Sequence, residues 1–283
     1  MKIYLINLER SVDRRSHMIK ELEKLIPNVS INRALCVDIK NANWTMPDNI
    51  RPGRWSSDRW ALSPSDVEIF RSHMDCWKKI SKSGQMGIIL EDDLLFSNDF
   101  GQVIKILENE NLTGIVRLDG VNLPLIINKP TKITENITIS KIDSIAASAA
   151  AYSLDPITAT NLLLKAKVVR TVDDYLFDPA TVSKGAKGHG LPIYQIEPII
   201  TVQAQFGIYS DKSHKIPEFL KLTKRVDVKS RKSRSFSGPI LYRFKKEIIR
   251  IIYRYRLKSL KKDNINNGGA CRVPRLSKDL SWK

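Results

Sequence analysis

Short apolar segments alternate with amphipathic ones through most of the chain. Lys2 to Leu8 has the continuous apolar character of a buried strand, and the apolar positions from Ser11 to about Leu25 recur at helical spacing. Ser11 stands at the expected capping position of that helix, and Pro27 ends it. Further strands are predicted at 31–37, 86–90, 115–118 and 146–154, and further helices at 63–81 and 155–167. This order predicts an α/β sandwich of Rossmann type with a mainly parallel sheet, in which ligands bind at the carboxyl ends of strands.

A different pattern follows residue 211. Residues 212–238 are polar and basic, contain several serines and end before Pro239, which is typical of a linker. Beyond it, apolar residues again recur at helical spacing, with Arg and Lys between them, and residues 264–283 look loosely ordered. We therefore predict a domain at 1–211, a basic linker at 212–238, and a basic amphipathic helix with a tail at 239–283.

The charge distribution separates these parts. The chain has 47 Lys and Arg against 30 Asp and Glu, a net charge of +17. Residues 1–211 contain 25 of each sign, so the whole excess lies in 212–283, which has 22 basic and 5 acidic residues. A basic amphipathic helix suits an anionic membrane surface. The alternatives are a helix packed on its own domain and a nucleic-acid-binding tail, and the neutral domain argues against nucleic acid as a partner.

Other features bear on location. The sequence has no apolar run long enough to span a bilayer and no signal peptide, and its three cysteines lack the spacing of a zinc site or a disulfide framework. We expect a cytoplasmic protein, peripheral on the inner face of the cytoplasmic membrane.

Three adjacent acids, Glu91, Asp92 and Asp93, follow the apolar strand at 86–90. Their mutual repulsion favours a neutralising cation, and oxygen ligands suit Mg²⁺ or Mn²⁺. Because alternate residues of a strand face the same way, Glu91 and Asp93 are expected to converge while Asp92 points elsewhere. The alternative is a solvated turn whose acids cap a helix beginning near Ser97.

Several further residues are candidates for chemistry. Asp119 ends its own strand, and Asp173 and Asp174 form an acidic pair in apolar surroundings, so each is a candidate general base. The alternatives are a turn residue and a helix cap. His73 flanks the apolar stripe of its helix and could equally be a core histidine, whereas His214 lies in a loop, where it could complete a metal shell or simply be exposed.

Six segments, in this order, resemble glycosyltransferase family 25, the bacterial lipooligosaccharide glycosyltransferases related to collagen galactosyltransferases. The segments are 6–15 (INLERSVDRR), 72–77 (SHMDCW), 90–93 (LEDD), 150–154 (AAYSL), 172–174 (VDD), and Pro198 with Gln203 ahead of Ser210-Asp211.

The resemblance implies a GT-A-like fold and an inverting transfer, with a UDP-sugar donor, commonly UDP-galactose, Mn²⁺ or Mg²⁺, and a lipid-linked lipooligosaccharide or LPS oligosaccharide acceptor. Asp93 is then the foremost metal ligand, joined by Glu91 and His214, and the base is Asp174 or Asp173, with Asp119 as the next choice. The expected nucleotide-sugar contacts are Asn7, Arg10, Arg14, His73, Glu91 and Asp92. The competing interpretation is a non-catalytic membrane- or nucleic-acid-binding protein that acts through its basic tail.

Overall fold

A mixed eight-stranded sheet forms the centre of the molecule in the computed structural model, which describes residues 1–38, 45, 62–110, 112–168, 170–178, 189–221 and 240–283. The sheet consists of β1 (Lys2–Leu8), β2 (Ile31–Cys36), β3 (Gly87–Glu91), β5 (Ile115–Arg117), β7 (Thr131–Lys132), β8 (Thr138–Lys141), β9 (Ala151–Leu154) and β10 (Ile193–Glu197). Their order is β2-β1-β3-β9-β5-β10-β8-β7. Only β9 and β8 run against the common direction, so the predicted α/β fold with a mainly parallel sheet is confirmed.

Helices cover both faces of this sheet. They are α1 (Val12–Leu25), α2 (Pro64–Ser83), α3 (Phe100–Asn109), α4 (Pro156–Lys165) and α5 (Val172–Phe177), followed by the short α6 (Glu218–Lys221) and the long α7 (Ile240–Asn266). One apolar core packs α2, α4 and α5 on one face, with Trp77 fully buried. A second packs α1 and α3 on the other face, with Met18 and Phe100 fully buried. Burial on both faces explains why β1 and β3 are continuously apolar.

Local signals fix the ends of α2. Ser63 and Asp66 form a capping box, and the chain leaves the helix through Gly84 in the left-handed conformation (φ 67°). The corresponding expectation for α1 differs from the structure, since Ser11 occupies the N-cap position but its side chain makes no capping hydrogen bond.

The C-terminal segment returns to the domain. Strand β13 (Ala270–Arg272) pairs with β6 (Leu125–Ile127), and β14 (Leu280–Trp282) pairs with β12 (Gly207–Tyr209). The remaining pair joins β4 (Leu94–Phe96) to β11 (Thr201–Gln203). Residues 270–282 therefore belong to the fold of the domain, whereas the sequence predicted a loosely ordered tail there. Most of the predicted linker, 222–238, lies outside the described residues.

Candidate active site

The candidate site lies where three strand ends meet. Parallel strands β1 and β3 pair Ile6 with Glu91, which places Asn7, the next residue, beside Asp92. The antiparallel strand β9 begins at the same edge, and the backbone N–H of Glu91 donates to the carbonyl of Ala150 at 2.8 Å. Side chains from distant parts of the chain are thereby brought to one edge of the sheet, as the prediction of ligand binding at strand ends requires.

Glu91 and Asp93 converge on one amide group. The Nε2 of Gln203 donates to Glu91 Oε2 at 3.2 Å and to the Asp93 carboxylate at 3.2 and 3.3 Å. Gln203 reaches this position because β11 pairs with β4, with Gln203 opposite Leu94. The predicted convergence of Glu91 and Asp93 is confirmed, although Asp92 and Asp93 form a turn and do not continue the strand, and the acids do not cap α3, whose N-cap position is Asp99.

The electrostatics of this pair favour a cation. Burial and, to a smaller extent, the neighbouring charge of Glu91 raise the pKa of Asp93 to about 7, while the amide of Gln203 opposes this rise. Within the described ranges, no three or more His, Cys, Asp or Glu side chains form a metal-binding group. Glu91 and Asp93 supply two carboxylates of the kind that a divalent ion accepts, and such an ion would leave its remaining positions to water and substrate phosphates.

Asp92 belongs to a separate network. It accepts a hydrogen bond from Asn7 Nδ2 at 2.7 Å and from Arg14 at 3.2 Å, and Arg14 also donates from Nε to the carbonyl of Phe219 at 3.0 Å. Asn7 is buried, and its Oδ1 accepts from Arg33 at 3.3 Å. Two of the predicted nucleotide-sugar residues, Asn7 and Arg14, thus hold the acid cluster in place from the side opposite Gln203.

Asp119 is fully buried behind the cluster. Its carboxylate accepts hydrogen bonds from the Ser148 hydroxyl and, at 3.2 Å, from the backbone N–H of Ala150, and it lies 3.5 Å from the Arg117 guanidinium. Burial raises its pKa to about 7 in spite of Arg117. Ser148 makes this contact from a left-handed backbone (φ 76°), a conformation that costs energy for a residue with a side chain.

Buried hydrogen bonds join Trp77 and His73 of α2 to Tyr152 and end close to Glu91. The Trp77 indole donates to the Tyr152 hydroxyl at 2.8 Å, and that hydroxyl lies 2.8 Å from His73 Nδ1. Burial lowers the pKa of His73 to about 4, so its ring is neutral. The other ring nitrogen, Nε2, lies 3.8 Å from Glu91 Oε1. His73 thus reaches the site through Glu91.

The pair Asp173 and Asp174 opens α5, where the hydroxyl of Thr171 caps the helix by accepting from the Asp174 N–H. Burial lowers the pKa of His73 and of Arg117, and the negative charge of Asp173 partly offsets this in both, so the first turn of α5 lies near these two buried residues. The Phe177 ring at the other end of α5 packs 5.0 Å from the Arg117 guanidinium. Asp173 is half-buried, in contrast to Asp119.

A comparison with known protein families finds a match that covers most of this site. Residues 1–177, which contain the whole cluster except Gln203, match the family described as glycosyltransferase family 25 (LPS biosynthesis protein). The chain belongs to glycosyltransferase family 25. The resemblance inferred from the six segments is thereby confirmed.

Two other comparisons are weaker. Human procollagen galactosyltransferase 2 is 27% identical over 113 residues, which are 38% of this chain and 18% of that protein, so the chain spans less than a fifth of this relative. A solved structure titled mannose-1-phosphate geranyltransferase, from Thermus thermophilus, is 12% identical, with a TM-score of 0.36 over 69% of this chain and 74% of that one. The α/β architecture is established by the strand order and pairing of this chain.

Arg10 and His214, two of the predicted site residues, make their contacts outside the acid cluster. Arg10 pairs with Asp38 on the surface, and the exposed His214 contacts Asp211 at 3.3 Å and packs near the Tyr209 ring. These contacts join each residue to its own surroundings and do not bring either one to the acid cluster. No helix among the described residues has the length and apolarity needed to cross a membrane.

Sequence reasoning missed three residues of the site. Gln203 lies in one of the six segments that resemble the family, and this position was the signal that could have pointed to it. Arg117 was hidden inside a short apolar strand, and Ser148 in a run of small residues from 146 to 151, so neither had a local signal.

Proposed function

We propose that the protein is an inverting, divalent-metal-dependent glycosyltransferase that moves galactose from UDP-galactose to a lipid-linked oligosaccharide of the lipooligosaccharide or LPS type. The observation that carries this is the amide-bridged pair Glu91 and Asp93 at the sheet edge. The family supports LPS biosynthesis, and the name of the human relative supports galactose as the sugar. A lipid-linked acceptor places the reaction at the inner face of a membrane.

The residues divide into three roles. Glu91 and Asp93 hold Mn²⁺ or Mg²⁺, which when bound would neutralise the charge that develops on the departing diphosphate. Asn7 and Arg14 orient the acid cluster through Asp92, and Arg14 supplies a cation that can pair with a diphosphate. His73 orients the Glu91 carboxylate from the core side.

We assign the role of base to Asp173. It is half-buried and beside the cluster, whereas the completely buried Asp119 is already engaged with Ser148 and the Ala150 N–H. Asp173 would remove the proton of the acceptor hydroxyl as its oxygen bonds to the anomeric carbon, while the bond from that carbon to UDP breaks on the opposite face. A single displacement of this kind inverts the anomeric centre.

The test begins with thermal stabilisation by UDP, GDP, CMP and UDP-sugars, each with and without Mn²⁺. UDP at a concentration of about 100 times its Kd should stabilise the protein by about 2.7 kcal/mol when Mn²⁺ is present. Asp93→Asn should lose this shift, whereas Asp75→Asn, an exposed carboxylate on α2, should keep it. No shift with any nucleotide would favour the non-catalytic interpretation.

A second measurement tests the base. Asp173→Asn should keep the Mn²⁺-dependent UDP shift and lose transfer by roughly a hundredfold or more. If Asp174→Asn or Asp119→Asn shows this combination and Asp173→Asn does not, the assignment moves to that residue. The anomeric configuration of the product, read by NMR, tests inversion directly.

A further inference from the structure

Helix α7 presents two different sides. At about 100° per residue, Tyr253, Leu257 and Asn264 lie on one side. Asn264 Nδ2 donates to Asp143 Oδ2 at 2.7 Å, and Tyr253 is half-buried with its hydroxyl bonded to the backbone of Ile145. The helix also contacts β6 and β13. This side therefore fixes the second half of α7 to the domain.

The opposite side is apolar and exposed. Seven residues follow one another there at helical spacing and are between 44% and 80% exposed. This outer stripe consists of Ile240, Leu241, Phe244, Ile248, Ile251, Ile252 and Tyr255. Its centre is about 180° from the side that packs on the domain. A stripe of this size on the outside of a docked helix is typical of a surface with a partner.

Cations border the outer stripe. Arg254 and Arg256 are both exposed and lie about 100° to either side of the stripe's centre. The exposed side chains of Lys258, Lys261 and Lys262 continue the positive charge toward the end of the helix. Along its whole length α7 has nine basic and two acidic residues. Long cationic side chains at the edges of an apolar stripe can reach headgroup phosphates while the stripe is buried.

We propose that the outer stripe of α7 docks the protein on an anionic lipid bilayer. The charge distribution favours a bilayer over a second copy of the chain, because pairing two stripes would bring Arg254 and Arg256 of both copies together. It also favours a bilayer over nucleic acid, because five of the seven residues of the outer stripe are aliphatic and offer bases nothing to stack on. The inference stands apart from the transferase reaction, since binding to lipid needs no sugar substrate.

Because the end of α7 is fixed to the domain, the test uses point substitutions in the full chain. Co-sedimentation is measured with phosphatidylcholine vesicles, with and without about 30% phosphatidylglycerol. We expect wild type to bind the anionic vesicles, and Phe244→Glu combined with Ile251→Glu to weaken this binding by about tenfold or more. The matched control is Ile157→Glu with Leu164→Glu on α4, residues that are 66% and 79% exposed, and it should bind like wild type.

Charge reversal separates the two components of binding. Arg254→Glu combined with Arg256→Glu should remove the preference for anionic over neutral vesicles. Equal vesicle binding by wild type and the stripe variant, or no binding by wild type, would overturn the proposal. So would a wild-type dimer in sedimentation velocity that the stripe variant abolishes, or duplex nucleic acid that displaces the protein from vesicles. Unchanged thermal unfolding of each variant shows that it is folded.

Discussion

The carboxyl group of Asp119 shows how single residues in this site are set by burial. Arg117, 3.5 Å away, favours the charged form, yet burial is the larger effect and the pKa is raised to about 7. A carboxyl group with a higher pKa in the folded chain than in the unfolded one takes up a proton on folding. Its contribution to the free energy of unfolding is therefore greatest at low pH and falls as the pH rises.

This sign gives a testable pH dependence. Between about pH 4 and pH 7 the free energy of unfolding of wild type should fall with rising pH more steeply than that of Asp119→Asn, which cannot titrate. The measurement is urea unfolding at a series of pH values. Asp75→Asn, which removes an exposed carboxylate, should run parallel to wild type. Parallel curves for wild type and Asp119→Asn would contradict the assignment.

The residue scale also shows what local sequence can predict. Glu91 and Asp93 converge as predicted, but they do so across a turn, because β3 ends at Glu91 and Asp92 and Asp93 connect it to β4. Gln203 joins them only through the pairing of β11 with β4, and Ser148 only through the antiparallel entry into β9. Contacts between residues so far apart in the chain depend on topology, which no short pattern encodes.

At the scale of elements, the C-terminal strands revise the predicted domain boundary. Arg272 on β13 makes two hydrogen bonds to the buried carboxylate of Glu197, at 2.6 and 2.8 Å, and the backbone N–H of Arg275 adds a third at 2.7 Å. The segment was predicted to be loose because its strands are three residues each and its composition is polar and basic. Pairing with β6 and β12 supplies the order that its own sequence does not predict.

Removing one of these cations should show the energetic role of the segment. Arg272→Ala leaves the carboxylate of Glu197 buried without its bidentate partner, so we expect a loss of about 1–3 kcal/mol in the free energy of unfolding. Arg275→Ala is the matched control, because its exposed side chain is lost while its backbone N–H still bonds to Glu197. Equal losses from the two variants in denaturant unfolding would show that only net charge matters.

The helices were more predictable than this segment. For α2, the cap at Ser63, the proline in the first turn and Gly84 after the last turn are all local signals, and the structure uses each of them. Helix α7 was predicted from its apolar periodicity, but its division into a docked side and an outer stripe was not. That division depends on where β6 and β13 lie, since these strands cover Tyr253, Leu257 and Asn264 and leave the opposite side open.

On the scale of the whole molecule, charge and chemistry are separated. Residues 1–211, which contain the acid cluster, have 25 basic and 25 acidic residues, whereas the excess of +17 lies in 212–283 and includes the cations beside the outer stripe. Because β13 and β14 bind the end of that segment to the domain, a bilayer that holds α7 also holds the active site close to its surface. Such confinement raises the effective concentration of a lipid-linked acceptor.

If both the proposed reaction and the bilayer docking hold, substitutions in the outer stripe should slow transfer to a lipid-linked acceptor and leave transfer to a lipid-free acceptor unchanged. Phe244→Glu combined with Ile251→Glu should reduce transfer to a lipid-linked acceptor in anionic vesicles by about tenfold or more, because the enzyme no longer concentrates there. Transfer to the same oligosaccharide freed from its lipid should be unchanged, since α7 contacts β6 and β13 and none of these contacts involves the acid cluster. The measurement is the initial rate with each acceptor, with Ile157→Glu combined with Leu164→Glu as control. Equal losses on both acceptors would mean that the stripe supports the active site itself, and undiminished transfer in vesicles would separate docking from catalysis.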